Sequence, residues 1–292
     1  MLKKGLVLSY LGMSLDFSTK GEVAITQKGF TDEMLAGCGI DLTKGAATPA
    51  SDNLFIVRDD AAKITDAESV WLHRVTAQML YLAKRTRPET LTAVAFLVTR
   101  VTKSDRDDVN KLKRLLLYVN GTRDRGVVLK PGARGVQLRI FVDAAYGVHS
   151  DGRSASGSVI SLGDAGPIHV KSSKQKIVTK SSTEAELVAT SDSCNTPFQV
   201  RRFLIAQGHD CGPVVLYQDN LSCMHLIARG KASSERSRHI AIRYFWLKER
   251  VDEGEMQIEH LATELMPANI LTKPLQGEQF RAERFMLTNW PE

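Results

Sequence analysis

The sequence predicts an α/β protein of the α+β type, in which a β-hairpin and a mostly helical region precede a mixed β-sheet flanked by helices. Three observations predict this fold. The chain has 292 residues, which is room for two domains of ordinary size. Its apolar residues recur at helical spacing in the first half and alternate in the second, with the change near residues 131–135. The second half then follows the order β-β-β-α-β-α-α-β-α, and a crossover after the third strand gives a mixed sheet.

The first half supplies the hairpin and the helices. Strand-like residues 7–13 and 22–26 predict the two arms of the hairpin, joined through residues 18–21. Residues 39–60 are polar and predict a loop. Apolar residues at helical spacing predict helices over 31–38, 66–84, 89–103 and 105–120. We therefore expect three regions, namely 1–132, 133–275 and a helical tail at 276–292.

The second half begins with a strand whose apolar residues all lie on one face. These residues are Val136, Leu138, Ile140 and Val142, and period two puts Asp143 on the opposite face. Further strands are predicted at 156–162, 167–171, 214–217 and 256–261, and helices at 182–206, 221–228 and 236–251. Pro197 falls inside the predicted helix 182–206. A proline there costs roughly 3 kcal/mol unless the helix bends or breaks.

Composition excludes several classes of protein. The apolar content of 43% and charged content of 25% are typical of globular domains, and no apolar run approaches the ~20 residues of a membrane span. The first four residues do not resemble a signal peptide. The four cysteines lack the paired spacing of a zinc site or a disulfide framework, which favours buried free thiols in a reducing compartment.

The net charge of +6 lies entirely in the first half of the chain. Residues 1–135 hold 21 Lys and Arg against 15 Asp and Glu, whereas residues 136–292 hold 18 of each. This split suits a polyanion that one half binds and the other half acts on. The alternative is a solvated basic surface, and charge alone favours that interpretation.

Three acidic positions follow the predicted elements in a fixed order. Asp143 ends a strand, Glu186 lies near the start of a helix, and Asp219 ends another strand. Carboxylates that meet at one point most often hold Mg²⁺, because hard cations prefer oxygen ligands. Each acid also has a structural interpretation. Asp143 suits a turn, Asp219 suits the N-cap of the helix at 221–228, and Glu184 completes a capping box with Ser181, which leaves Glu186 as the better catalytic candidate.

Taken together, these motifs resemble the ribonuclease H domain of copia-type LTR retrotransposon Pol polyproteins. The matching stretches are residues 141–147, 152–157, 171–176, 181–187, 217–220, 238–240 and 270–275, in the right order. The first half resembles the end of the preceding reverse transcriptase, including its primer-contacting hairpin (10–13) and its thumb and connection segments (80–83, 86–88 and 117–122). The polymerase motif with paired aspartates is absent from this sequence, so we do not expect this chain alone to polymerise DNA.

The resemblance implies a fold, a reaction and a set of site residues. It implies a ribonuclease H-like five-stranded mixed sheet, and a two-metal endonuclease that cuts the RNA strand of RNA–DNA hybrids with Mg²⁺, or with Mn²⁺ as an alternative. Asp143, Glu186 and Asp219 would be catalytic metal ligands. The fourth catalytic and metal-binding position, an acid in the family, is Asn269 here, so the metal on that side should bind more weakly. Asn269 and Pro197 keep open an alternative, a catalytically impaired nucleic-acid-binding remnant of a retroelement.

The basic residues near these motifs have two interpretations. They contact nucleic-acid phosphates, or they form a solvated rim, and for the lysines before Ser181 we favour phosphate contact. The candidates for nucleic-acid binding are Lys171, Lys174, Lys176, Lys180, Arg153 and Arg238. The expected partners are an RNA–DNA hybrid or another nucleic acid and the reverse transcriptase portion that the resemblance places before this chain, with no membrane. We expect a cytoplasmic location, in virus-like particles, or a nuclear one, and no secretion.

Overall fold

A computed structural model describes residues 5–132, 136–230 and 241–291 of the chain. The chain divides into two compact units. The first contains the residues up to Pro131 together with those from Lys273 onward, and the second is Gly132–Thr272. Within the described residues, none of the helices combines the length and hydrophobicity that a membrane crossing needs.

The first unit contains a four-stranded antiparallel sheet. Its strands, in sheet order, are β1 (Val7–Tyr10), β2 (Met13–Asp16), β3 (Val23–Thr26) and β4 (Val127–Leu129). The single strand predicted over 7–13 is wrong, because the chain reverses at Leu11 and Gly12. Both residues have positive φ (49° and 74°), as a two-residue hairpin turn of right-handed twist requires. β4 was not predicted, since three residues are too few to show alternation.

Four helices of the first unit lie close to their predicted positions. They are α1 (Lys28–Ala36), α2 (Asp66–Ala83), α3 (Leu91–Val98) and α4 (Arg106–Asn120), with a 3₁₀ turn at Pro88–Thr90. α2 and α4 begin at capping boxes, Thr65 with Glu68 and Asp105 with Asp108. The third predicted helix, over 89–103, is shorter because its polar end does not continue the apolar face buried by α3.

The second unit is built on a five-stranded mixed sheet, as predicted. Its strands are β5 (Leu138–Ala145), β6 (Ala155–Leu162), β7 (Pro167–Lys174), β8 (Val214–Gln218) and β9 (Met256–His260). The sheet order is β7-β6-β5-β8-β9, antiparallel from β7 to β5 and parallel from β5 to β9. Leu138, Ile140 and Val142 face the buried core, as their alternation predicted.

Four helices are described in the second unit, and one prediction about them is wrong. They are α5 (Ser182–Ser193), α6 (Asn195–Ala206), α7 (Leu221–Arg229) and α8 (Ala241–Asp252). The single helix predicted over 182–206 is interrupted at Cys194, and Pro197 lies in the first turn of α6. A proline ring clashes with the carbonyl four residues earlier, here that of Ser193, where α5 ends. Residues 236–240 of the helix predicted over 236–251 lie outside the described residues.

The end of the chain forms helix α9 (Gly277–Thr288), which packs within the first unit. Phe280 and Leu287 are buried, and the Phe280 ring meets the Tyr118 ring edge-on at 5.7 Å. The sequence predicts this segment as a separate helical tail at 276–292. In the structure its apolar side chains complete the core formed by α4, so residues from Lys273 onward group with the first unit.

Candidate metal centre

Asp143, Glu186 and Asp219 converge in the second unit. One carboxylate oxygen from each lies within 4.8 Å of the others. The sheet explains how two of them meet. β5 and β8 are parallel neighbours with Phe141 opposite Tyr217, and each aspartate lies two residues further along its chain. Glu186 comes from α5, which packs on β5. Strand, helix and strand therefore bring these acids to one point, as their order predicted.

Asp143 is held in a buried position at the end of β5. Its side chain is 2% exposed, and the hydroxyl of Thr272 donates a hydrogen bond to its Oδ2. Asp143 faces Gly157 across the β5–β6 pair. A Cβ at Gly157 would lie 2.8 Å from the carbonyl oxygen of Ala268 and from Thr272 Cγ2. Glycine at 157 therefore lets the segment that carries Thr272 lie against the sheet beside Asp143.

Glu186 is held by two donors from the strands beside it. The Ala144 N–H donates to Oε1 at 3.1 Å, and the Gln218 amide donates to Oε2 at 3.3 Å. Gln218 is fully buried, and its Oε1 accepts the Asn220 N–H at 3.0 Å. Sequence reasoning missed Gln218. Its position one residue before Asp219, in an otherwise apolar strand, was the available signal.

Burial and like charge make Glu186 difficult to ionise without a cation. Its side chain is only 5% exposed. Burial, and after it the negative charges of Asp143 and Asp219, raise the pKa of Glu186 from 4.5 to about 9. A divalent cation between the carboxylates would offset this repulsion. The donor set consists of oxygens from carboxylates, so the residues present fit Mg²⁺ or Mn²⁺.

The structure decides between the alternatives for the neighbouring polar residues. Asn220, not Asp219, caps α7, because its Oδ1 accepts the Cys223 N–H at 2.9 Å. Asp219 is half-buried instead and accepts the Thr263 hydroxyl at 2.9 Å. Ser181 caps α5, with its Oγ accepting the Glu184 N–H at 3.2 Å.

The capping box predicted for Ser181 and Glu184 is only half formed. The Glu184 carboxylate accepts the N–H of Lys180 at 2.8 Å rather than that of Ser181. The predicted return contact to Ser181 is therefore wrong by one residue. Glu184 still has a structural role at the start of α5, and it is Glu186 that reaches the acidic cluster.

Asn269 lies in a 3₁₀ turn, Asn269–Leu271, and is 1% exposed. Its Nδ2 donates to the main-chain oxygen of Thr263 at 2.7 Å. Thr263 is the residue whose hydroxyl reaches Asp219. Asn269 is thus linked to the acidic cluster through its neighbours, while its role as a fourth ligand stays a prediction.

The predicted nucleic-acid-binding residues differ in their surroundings. Lys176 and Lys180 are exposed, and Lys171 is half-buried on β7. Lys174 and Arg153 each lie 2.7 Å from Asp151 Oδ2, so an ion pair already engages both. Arg238 lies outside the described residues. Several other basic residues of the second unit form ion pairs as a solvated rim would, namely Arg243 with Asp192, Lys248 with Asp252, and Arg250 with Glu255.

Curated relatives of the chain are polyproteins of transposons. The retrovirus-related Pol polyproteins from transposons RE2 and RE1 of Arabidopsis thaliana are 31% and 30% identical to it over 259 residues, which is 88% of the chain. The Pol polyprotein from transposon TNT 1-94 of Nicotiana tabacum is 24% identical over 266 residues, or 90% of the chain. The chain spans 17%, 17% and 20% of the length of these three relatives.

Solved structures give more distant matches. A foamy viral protease–reverse transcriptase in complex with an RNA/DNA hybrid is 10% identical, with 88% of this chain and 29% of that chain covered and a TM-score of 0.48. A ribonuclease H1 isolated from compost is 17% identical, with 46% of this chain and 91% of that chain covered and a TM-score of 0.35. No model of a known protein family matches the sequence.

The sheet of the second unit and the curated relatives agree with the resemblance that the motifs predicted. The predicted five-stranded mixed sheet flanked by helices is confirmed by its strands and their order. The relatives extend over most of both units rather than over the second alone. The chain is therefore similar, over most of its length, to one stretch of the retrovirus-related Pol polyproteins of transposons.

Proposed function

We propose that the second unit is a divalent-metal-dependent endonuclease that cuts the RNA strand of RNA–DNA hybrids. The observation that supports this most is the convergence of Asp143, Glu186 and Asp219 within 4.8 Å, in a chain whose curated relatives are transposon Pol polyproteins. Buried acids of one sign repel one another, which costs stability. Their convergence makes physical sense if a cation binds between them during function.

Asp143, Glu186 and Asp219 would hold the metal, with Mg²⁺ as the proposed ion and Mn²⁺ as a substitute. Bound divalent ions would polarise the phosphodiester and promote the ionisation of an attacking water. Neighbouring residues of the chain orient one of these acids for this role. The Ala144 N–H and the Gln218 amide fix the Glu186 carboxylate, so that its oxygens are already oriented when it loses its proton. Preorganised ligands lose less freedom on binding.

The predicted basic residues of the second unit would bind the phosphates of the hybrid. Lys176 and Lys180 are the better candidates, since they are exposed and lie on the loop that leads from β7 into α5. Lys171, Lys174 and Arg153 would contribute less strongly, because they are half-buried and the last two are shared with Asp151. Binding of this kind reads the A-like shape and the 2′-hydroxyl rather than base sequence.

A second candidate function is a nucleic-acid-binding remnant that no longer cuts. Asn269 favours it, since the resemblance places an acid there and an amide brings no charge to a cation. Pro197 does not favour it in the structure, because the interruption at Cys194 lies after Glu186 and leaves that residue in the acidic cluster. We propose further that the chain works beside the polymerase portion of its polyprotein, in cytoplasmic virus-like particles or in the nucleus.

The test is a cleavage assay on three matched duplexes of one sequence, RNA–DNA, RNA–RNA and DNA–DNA, with Mg²⁺, with Mn²⁺ and with a chelator. The proposed function predicts cutting of the RNA strand in the hybrid alone, and only with metal. Binding of the hybrid without cutting under either metal would favour the remnant. Cutting that persists in the chelator would exclude a metal-dependent mechanism.

A further inference from the structure

Hydrogen bonds connect two of the three clustered acids through the turn at Asn269–Leu271. Thr263 donates its hydroxyl to Asp219 at 2.9 Å, and Thr272 donates its hydroxyl to Asp143. Asn269 contacts both threonines. Its Nδ2 donates to the Thr263 main-chain oxygen at 2.7 Å, and its own main-chain oxygen accepts the Thr272 N–H at 3.0 Å.

We propose that Thr263 and Thr272 are positioning residues for Asp219 and Asp143, and that Asn269 holds both threonines in place through its side-chain amide and its main chain. The inference rests on the proposed function, since the cluster being positioned is the proposed metal site. It gives Asn269 a role that differs from that of a weakened metal ligand.

The Thr263 contact requires a hydrogen-bond donor at position 269. The acceptor is a carbonyl oxygen, so the partner must carry a hydrogen, and the amide of asparagine supplies one. An ionised carboxylate has no hydrogen and would place an oxygen against the Thr263 carbonyl oxygen. Asparagine at 269 therefore supplies the donor that this contact needs, and an ionised aspartate would not.

The Thr272 hydroxyl has a single proton and two acceptors within reach. These are Asp143 Oδ2 and, at 3.1 Å, the main-chain oxygen of Asn269. The proton goes to the carboxylate, because a charged acceptor makes the stronger hydrogen bond and the Asn269 oxygen already accepts the Thr272 N–H. Thr272 thus orients Asp143 while the turn fixes Thr272.

Packing keeps the turn in one place. Thr272 and Leu271 are fully buried, and Gly157 leaves room for them on the sheet where a Cβ would lie 2.8 Å from Leu271 Cβ. Buried side chains with satisfied hydrogen bonds hold one geometry. Displacement of the turn would move Thr263 and Thr272 together, and with them the donors to both aspartates.

The experiment measures Mn²⁺ binding to the full chain without nucleic acid, from the loss of the free-ion electron paramagnetic resonance signal. Thr263→Val removes the hydroxyl and keeps the shape, and Thr263 is exposed, so the variant should fold. We expect Mn²⁺ to bind about tenfold more weakly, the lower end of the effect of groups that orient metal ligands. Thr263→Ser should restore the affinity, and Thr102→Val, at an exposed position of the first unit, should leave it unchanged.

Asn269→Asp, alone and with Thr263→Val, completes the test. Asn269→Asp should lower the thermal midpoint of the metal-free protein. In the double variant, the fold-change in Mn²⁺ affinity should differ from the product of the fold-changes in the two single variants. Parent-like Mn²⁺ affinity in Thr263→Val, or effects of the two substitutions that multiply, would overturn the proposal. Asp143→Asn separates failure of this proposal from failure of the proposed function. Unchanged Mn²⁺ binding in that variant would overturn the metal site and with it the proposed function.

Discussion

In the first unit the buried arginines Arg87 and Arg100 pair with acids, whereas the second unit gathers three acids of one sign. Arg87 and Glu89 are both fully buried and meet at 2.8 Å, and Arg100 binds Asp105 and Asp108 at 2.8 and 2.9 Å. Asp143, Glu186 and Asp219 instead lie within 4.8 Å of one another. Paired charges offset their own loss of hydration, while clustered like charges need a cation from solution. The contrast separates a charge arrangement that serves the fold from one that serves function.

The largest expected effect is on cleavage, and two buried aspartates provide the comparison. Asp143→Asn should reduce hybrid cleavage by at least about 10³-fold, since a metal contributes several kcal/mol to the transition state and each 1.36 kcal/mol is tenfold. Asp108→Asn in the first unit removes a charge that is equally buried but paired with Arg100. It should leave the metal requirement for cleavage unchanged and lower thermal stability instead. Equal losses of cleavage in the two variants, measured on folded protein, would contradict the distinction between the clustered acids and the paired charge.

The second effect concerns the pair in the first unit. Arg87→Met leaves the Glu89 carboxylate buried without its partner and removes two donors to Thr122. The free energy of unfolding should fall by about 3–5 kcal/mol, the usual cost of breaking a buried pair from one side. Urea denaturation of parent and variant measures it. A loss below ~1 kcal/mol would show that the pair is not the stabilising arrangement we infer.

Glu186→Gln should raise, rather than lower, the folding stability of the protein when no metal is present. The pKa of Glu186 is raised from its ordinary value of 4.5 to about 9 in the folded chain. The unfolded chain therefore loses its proton first, so this group lowers folding stability as the pH rises from about 4.5 to about 9. The substitution should raise the thermal midpoint in chelator at pH 8, by roughly 2–4 °C for each kcal/mol regained, and have little effect at pH 4. A midpoint at pH 8 that is lower than that of the parent would contradict the like-charge account.

The smallest effect concerns nucleic-acid binding by the two units. The excess positive charge lies in the first half of the sequence, so neutralising three exposed lysines there should reduce the salt dependence of hybrid affinity. Lys84, Lys103 and Lys113 are changed together to Gln and compared with the same change at Lys171, Lys176 and Lys180 in the second unit, of which Lys171 is half-buried. Each phosphate contact that is lost reduces the slope of log affinity against log salt concentration by roughly 0.7–0.9. A change confined to the second set would show that the charge of the first unit is only a solvated surface.

The same two units show what a sequence can predict. In the second unit β5 was predictable because its apolar residues alternate, and β8 because it is a short apolar run. The acids were predictable because they lie near the ends of these strands or the start of a helix. The interruption at Cys194 was signalled by Pro197, although the proline alone did not show whether the helix would bend or end. In the first unit the reversal at Leu11 was hidden by apolar residues on both sides of a two-residue turn. Such a turn is specified by backbone twist rather than by polarity.

The supporting residues of the site were not predictable from spacing. Gln218 reaches Glu186 from a neighbouring strand, and Thr263 and Thr272 reach the aspartates from the segment after β9. Each contact joins residues that are far apart in the chain, and neutral polar side chains have no periodic pattern that marks them. Asn220 could have been chosen over Asp219 as the cap of α7, since both residue types are good caps, but sequence alone does not say which side chain turns toward the helix.

The most direct test of the central claim is to locate Mn²⁺ by anomalous diffraction in crystals of the full chain, with Asp143→Asn crystals as the control. If the like-signed acids of the second unit form a metal site, the anomalous peak lies between Asp143, Glu186 and Asp219 and disappears in the variant. A peak elsewhere in the parent, or one that persists between these residues in Asp143→Asn, would contradict the account.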